Sequence, residues 1–92
     1  MTRIKIRKLI WDEYNRGHIK THNISIDEVE NAGKNFLVHQ KTKKGRYLII
    51  CRVGARMITV IVNRKETGVY YPVTARDSKR KERKKVYEKE KT

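Results

Sequence analysis

Cysteine, proline and long apolar runs are scarce in this chain, and each scarcity excludes a class of structure. The 92 residues include one cysteine, Cys51, so an intramolecular disulfide is impossible and nothing indicates an oxidising compartment. The N-terminal segment MTRIKIRKLIW is charged throughout and has no run suited to a signal peptide or a membrane span. We therefore expect a cytoplasmic protein with no membrane partner.

Acidic residues are also scarce, since 10 Asp and Glu stand against 24 Lys and Arg, for a formal net charge of +14. A positive electrostatic field of this strength is typical of proteins with polyanionic ligands. The basic C-terminal stretch has no apolar face carrying Leu, Phe or Trp, which argues against an anionic membrane surface. The composition therefore favours nucleic acid, and it leaves an acidic protein partner open.

The first part of the chain predicts a strand followed directly by a helix. The run IKIRKLI, residues 4–10, is rich in β-branched residues and predicts the strand. Asp12 can cap a helix that covers about Glu13 to Thr21. Asn23 tolerates the left-handed conformation and can end that helix.

A second short helix and a set of strands come next. Ser25 and Glu28 form a capping box for the helix IDEVENA, which we expect to close at Gly33. Four β-rich runs follow, namely NFLVHQ, RYLIICRV, MITVIVN and VYYPVTA, and the turns between them predict an antiparallel meander. The middle two runs are apolar on both faces, so we expect the helices on one side and another element on the other. Pro72 cannot donate a ladder hydrogen bond, so its strand contains a bulge or lies at an edge.

The final stretch, DSKRKERKKVYEKEKT, predicts a basic helix over about residues 78–90, capped by Asp77 or Ser78. A helix this polar gains almost nothing from packing. It is therefore either a solvated tail or a helix that phosphates or an acidic partner neutralise, and beyond Lys85 it can be charged tail alone. The expected fold is a single α+β domain over residues 1–92. Two short N-terminal helices pack on a mainly antiparallel sheet of four to five strands, with the basic helix at the C-terminus.

Two segments resemble the BrnT-like toxins of bacterial type II toxin–antitoxin systems, which have a RelE-like fold. The segment IWDEYNRGHIKTHNISIDEVENA resembles the family's opening motif, and the matching positions are Trp11, Asp12, Asn15, His22, Ile24, Ser25, Glu28 and Val29. RYLIICRV and VTARDSKRKERKKVY resemble a family strand and the family's ending, with matches at Arg46, Thr74, Ala75, Arg76, Glu82 and Arg83. Tyr87 lies one residue later than the family's tyrosine, so Val86 can occupy that position.

The resemblance implies a metal-independent endoribonuclease that needs no cofactor and inhibits translation by cleaving mRNA, including mRNA on the ribosome. It also implies an acidic ribbon–helix–helix antitoxin as partner in a hetero-oligomer, with DNA bound only through that complex. Two alternatives stay open. One is a non-catalytic RNA- or ribosome-binding protein, and the other is a degenerate toxin that acts with its antitoxin as a DNA-binding repressor.

Metal-independent RNA cleavage needs a base, cations at the phosphate and an acid for the leaving oxygen. The candidate catalytic residues are Arg76, Arg46, Glu82, Arg83, His22 and Tyr87. The three arginines suit the cationic role, because a guanidinium binds two phosphate oxygens and stays charged. Arg76 can instead be a surface residue paired with Glu82.

The candidates for base and acid each have a structural alternative. Histidine is the residue type that titrates near neutral pH, but His22 lies where it can cap a helix C-terminus. Glu82 lies among cations, which lower the pKa of a carboxyl group, so it is suited to orienting Arg76 or Arg83. The expected nucleic-acid-binding residues are Arg52, Arg64, Lys79, Arg80, Lys81 and Lys84.

Aromatic and metal-ligating residues give weaker signals. Tyr70 and Tyr71 point to opposite faces of a strand, so one is expected in the core and the other can stack on RNA bases. His18 and His22 have the i, i+4 spacing of a zinc pair, but no HExxH or CxxC motif accompanies them, and we predict no metal site. Cys51 is expected to be a small buried hydrophobe.

Overall fold

A computed structural model describes residues 4–43 and 45–91. The elements, in chain order, are β1 (Lys8–Leu9), α1 (Glu13–Thr21), α2 (Ile26–Asn35), β2 (Val38–Lys43), β3 (Arg46–Val53), β4 (Arg56–Glu66), β5 (Val69–Asp77) and α3 (Arg80–Glu90). The strands form one sheet in the order β1-β5-β4-β3-β2, in which β1 pairs in parallel with β5 and the other pairs are antiparallel. The predicted α+β class and mainly antiparallel sheet are confirmed, and the five strands agree with the predicted four to five.

The N-terminal strand is much shorter than predicted. Only Lys8–Leu9 pairs with β5, although the sequence pattern predicts a strand over residues 4–10. The N–H groups of Arg7 and Lys8 both donate to the carbonyl of Gly68, the residue just before β5. Ile4 and Ile6 nevertheless pack against the core, so burial rather than strand pairing explains the apolar pattern before Arg7.

The first helix agrees closely with the prediction. It covers Glu13–Thr21, and the Asp12 carboxylate accepts from the backbone N–H of Asn15 at 2.9 Å. Asn23 follows with a φ of 60°, the left-handed conformation that the sequence predicts for it.

The second helix also begins as predicted, with a reciprocal capping box between Ser25 and Glu28. The prediction that it closes at Gly33 is wrong, since the helix continues to Asn35. Gly33 is buried, and a Cβ at this position would lie 3.3 Å from Cδ1 of Leu9. Glycine therefore allows α2 to approach β1 closely.

The strand that contains Pro72 is interior, and it holds the predicted bulge. Ile61 pairs with Thr74 whereas the next residue, Val62, pairs with Pro72, so Val73 is the extra residue. The prediction of a bulge or an edge is therefore met by the bulge.

The sheet has a buried cluster on each face. The larger cluster joins α1 and α2 to the sheet and includes Ile19, Val29 and Val60. On the other face Ile50, Met57 and Val86 form a smaller cluster, so α3 is the further element that the apolar strands require. Within the described residues, no helix has the length and apolar character needed to cross a membrane.

The cap of α3 differs from the prediction. The N-cap is Lys79 rather than Asp77 or Ser78. Asp77 ends β5 and pairs with Arg56 instead, and the Ser78 N–H donates to the carbonyl of Met57. Both residues are therefore engaged with the sheet before the helix begins.

Candidate nucleic-acid interface at the junction of β5 and α3

The junction between β5 and α3 brings an arginine and a glutamate together on one face of the sheet. Arg76 lies near the end of β5 and pairs in register with Thr59 of β4, so both side chains lie on the same face. Glu82 lies in the first turn of α3 and points back toward them. The guanidinium of Arg76 donates through Nη1 to Oε1 of Glu82 at 2.7 Å and through Nη2 to Oε2 at 2.8 Å. The predicted pairing of Arg76 with Glu82 is confirmed.

Glu82 also accepts two further hydrogen bonds. The backbone N–H of Lys79 donates to Oε1 at 2.7 Å, and the hydroxyl of Thr59 donates to the same oxygen at 3.0 Å. Burial alone would raise the pKa of Glu82, but the bonds from Arg76, Lys79 and Thr59 outweigh burial and lower that pKa to about 2. Glu82 is therefore ionised at neutral pH and serves to position other groups rather than to accept a proton.

Arg76 is held rather than free to move. Its hydrogen bonds to Glu82 raise the pKa of its guanidinium against the opposing effect of burial, and its side chain is 25% exposed. Nη1 also donates to the carbonyl of Asp77 at 3.4 Å. The result is a fixed cation with one edge on a carboxylate and part of its surface open to solvent.

Two buried hydroxyl groups form a small hydrogen-bond network next to the Arg76–Glu82 pair. Thr59 is fully buried, and its hydroxyl lies 2.8 Å from that of Ser78, which is 3% exposed. Because Thr59 gives its proton to Glu82, the Ser78 hydroxyl donates to Thr59. No sequence pattern predicts this network, since β4 and the residues before α3 meet only in the folded chain.

The solvent side of α3 carries the expected cationic residues. From Lys79 to Lys91 the chain has eight Lys and Arg against three Glu. Arg83 donates from Nη1 to the carbonyl of Ser78 at 3.0 Å, which places it beside the Arg76–Glu82 pair. The exposed cations of this part of the chain include the predicted residues Lys79, Arg80, Lys81 and Lys84. The structure therefore brings Arg76, Glu82, Arg83 and these four residues to one region.

The far end of α3 holds a second group of predicted residues. Arg52 of β3 donates from Nε to Glu90 at 2.8 Å, and its Cζ lies 5.7 Å from the ring centroid of Tyr87. Val86 is fully buried while Tyr87 is 47% exposed. Val86 thus takes the inward position. The helix extends to Glu90, which agrees with the predicted end at about residue 90 and not with the alternative of a charged tail beyond Lys85.

Three further predicted residues lie away from the junction. Arg46 pairs with Asn63 of β4, four residues from Thr59, so it lies on the same face but about 13 Å along the strand. Arg64 is five residues from Thr59 in β4, so it lies on the opposite face. His22 is the exposed C-cap residue of α1, with its ring centroid 5.7 Å from that of His18.

Arg56 binds three partners from different parts of the fold, and the sequence did not indicate this role. Its Nε donates to Asp77 at 2.6 Å, and its Nη1 donates to the carbonyl of Asn23 at 2.8 Å and lies 3.4 Å from Glu28. It thereby ties the end of β5 to the turn between the first two helices. No local motif announces such a residue, because each partner comes from a different element.

The remaining aromatic and metal-ligating candidates take these positions. Tyr70 is in the core at 3% exposure, as predicted for one of the pair, while the hydroxyl of Tyr71 donates to the carboxylate of Asp12. Cys51 is buried, and burial raises the pKa of its thiol. Across residues 4–43 and 45–91, no cluster of three His, Cys, Asp or Glu side chains is placed to hold a metal ion.

Comparison with models of known protein families and with curated protein sequences gives no match.

Proposed function

We propose that this protein is a cytoplasmic ribonuclease toxin of a type II toxin–antitoxin module, which cleaves RNA without a metal and thereby inhibits translation. The observation that carries the proposal is the half-buried Arg76–Glu82 pair at the junction of β5 and α3, beside a helix that contains six Lys and Arg residues and is flanked by Lys79 and Lys91. The resemblance of the two sequence segments to BrnT-like toxins supports the same proposal.

The proposed chemistry relies on positioning and charge stabilisation. Glu82 holds the Arg76 guanidinium in one orientation, so the cation is in place before the phosphate arrives. Arg83 is bonded to the carbonyl of Ser78 next to it and supplies a second cation. The lysines of α3 would hold neighbouring phosphates by charge. With a pKa of about 2, Glu82 is not the base.

An acidic ribbon–helix–helix antitoxin is the proposed partner. The cationic side of α3 offers an acidic protein the same charge complementarity that it offers RNA phosphates. Competition between the two for this side of α3 would explain inhibition of the toxin. We propose that DNA is bound only by the resulting complex.

Two observations favour a second candidate function, a non-catalytic RNA-binding protein. Both oxygens of Glu82 are occupied by donors, and His22 and Tyr87 lie at the end of α1 and toward the end of α3 rather than at the junction. Binding needs the cations alone, whereas cleavage also needs proton transfer.

Cleavage of labelled RNA in EDTA, measured in parallel with binding, distinguishes the two functions. We expect wild type to cut, and we expect Arg76→Lys, which keeps the charge and loses the two-pronged donor, to cut at least about tenfold more slowly. Arg16→Lys on α1 is the matched control and should cut like wild type. Salt-sensitive binding by folded wild type without any cleavage would reject the ribonuclease and support the binding protein.

Expression provides the test in cells. Wild type should arrest growth, while Arg76→Ala and co-expression of the neighbouring reading frame should restore growth. Normal growth at a high level of folded wild-type protein would contradict the toxin proposal.

A further inference from the structure

A cavity lies on the face of the sheet where α1 and α2 pack, at the end of the strands away from Arg76. Its volume is about 580 Å³, and its walls come from the N-terminal segment before β1 and from the ends of β2, β3 and β4 near the turn before β5. Small-ligand sites commonly measure about 300–1,000 Å³. The cavity is therefore large enough for a small organic ligand.

The charged side chains that line the cavity are positive. Lys5 and Arg7 of the N-terminal segment, Lys41 of β2 and Arg64 of β4 all line it. No Asp or Glu is found among the lining residues within the described part of the chain. Four cations around one concavity raise the local positive potential, which favours an anionic ligand.

Arg64 differs in its partner from three other strand arginines. Arg52, Arg56 and Arg76 each form an ion pair with a carboxylate. Arg64 donates from Nη2 to the hydroxyl of Thr67 at 3.3 Å, and this partner carries no charge. A guanidinium can bind two phosphate oxygens through its parallel N–H donors.

The cavity also has an aromatic wall. Tyr47 and Tyr70 meet edge to face, with ring centroids 6.0 Å apart, and Tyr47 is half-buried while Tyr70 is almost fully buried. Burial raises the pKa of Tyr70, so its hydroxyl keeps its proton and can donate a hydrogen bond. An aromatic wall beside a cluster of cations fits a ligand that combines a flat ring with a phosphate.

We infer that this cavity binds a nucleoside monophosphate, with the phosphate at Arg64 and Arg7 and the base against Tyr47. A free mononucleotide and the phosphorylated end of an RNA share this chemistry. The site is separate from the junction of β5 and α3, because Arg64 lies five residues from Thr59 along β4, about 16 Å, and on the other face. It therefore goes beyond the proposed cleavage function.

The test is an NMR titration of the isotope-labelled full chain with AMP, with adenosine and with inorganic phosphate. We expect AMP to shift the amide signals of Lys41, Gly68 and Tyr70, and to bind more tightly than either fragment. Arg64→Gln should weaken AMP binding at least about tenfold. Arg16→Gln, which removes an equal charge from the exposed surface of α1, should change it by less than about twofold. Equal affinity for AMP and phosphate, equal effects of the two variants, or shifts confined to α3 would each overturn the inference.

A competition experiment distinguishes a free mononucleotide from the phosphorylated end of an RNA. It uses two short RNAs, one with a terminal phosphate and one without. Displacement of AMP only by the phosphorylated RNA supports an RNA end as the ligand, and no displacement by either RNA supports a free nucleotide. Displacement by both RNAs with equal strength overturns the role of the phosphate. NMR detects binding without cleavage, so AMP binding in a protein that does not cut RNA would reject only the proposed function. Cleavage without AMP binding would reject only the inference that the cavity binds a nucleotide.

Discussion

Val86 of α3 lies in the same buried cluster as Ile50 of β3, and both side chains are fully shielded from solvent. Val86 is the one buried residue among those described in α3, so it supplies the apolar contact of a strongly basic helix that otherwise meets the sheet through ion pairs and hydrogen bonds. The neighbouring residue, Tyr87, is turned by about 100° around the helix and is largely exposed.

Replacing Val86 should loosen α3 far more than replacing Tyr87. We expect Val86→Ala to lower the free energy of unfolding by about 1–3 kcal/mol, because it removes fully buried methyl groups. Tyr87→Ala should cost less than about 1 kcal/mol, since it removes an exposed ring and its contact with Arg52. Urea unfolding followed by circular dichroism measures both values. A larger loss for Tyr87→Ala would show that Val86 does not anchor the helix.

The Arg76–Glu82 pair should couple more strongly than the pair at the other end of α3. Its side chains are 25% and 13% exposed, whereas those of Arg52 and Glu90 are each 40% exposed. A double-mutant cycle with alanine should give a coupling free energy of about 1–3 kcal/mol for the first pair. The second pair should give less than about 1 kcal/mol. Equal coupling in the two cycles would contradict the difference in burial.

Stability should fall in acid as Glu82 loses its charge. Its pKa is lowered from 4.5 to about 2 in the folded protein, so its ionised form stabilises the fold above pH 4.5. This contribution should decline as pH falls from 4.5 toward 2, and it amounts to at most about 3 kcal/mol. The difference in unfolding free energy between wild type and Glu82→Gln, measured at several pH values, should shrink over this range. A difference that stays constant down to pH 2 would contradict the lowered pKa.

RNA binding should depend steeply on salt through α3. Replacing both Lys81 and Lys84 with alanine should reduce the slope of log affinity against log salt by about 1.4, if each lysine contacts one phosphate of single-stranded RNA. The control replaces Arg16 and Lys20, two exposed cations of α1, and should leave the slope nearly unchanged. Equal reductions in the two double variants would indicate diffuse binding to the whole charged surface.

Elements with strong local signals were predicted well. Helix α1 has the predicted bounds because Asp12 caps its start and Asn23 adopts a left-handed turn after it. Strand β3 also has the predicted bounds, since the turns on both sides interrupt a continuous apolar run. The bulge at Pro72 follows from a missing N–H donor. Each of these features depends on residues that are close in the chain.

Features that depend on distant residues were predicted poorly. The apolar residues Ile4 and Ile6 read as a strand but pack on the core without strand pairing. Gly33 reads as a helix end, yet it is buried inside α2 beside Leu9. Arg56 gave no signal, although it connects three parts of the fold.

The candidate site shows the same division. The sequence by itself determined the excess of cations, the basic helix near the C-terminus and the presence of Arg76, Glu82 and Arg83 around its start, since charge and periodicity are local properties. Only the tertiary structure decided that Arg76 is locked to Glu82, that Val86 faces the sheet, and that Arg46, Arg64 and His22 lie elsewhere. Strand register and the crossing of α3 over the sheet set these distances, and both are fixed by packing between residues far apart in the chain.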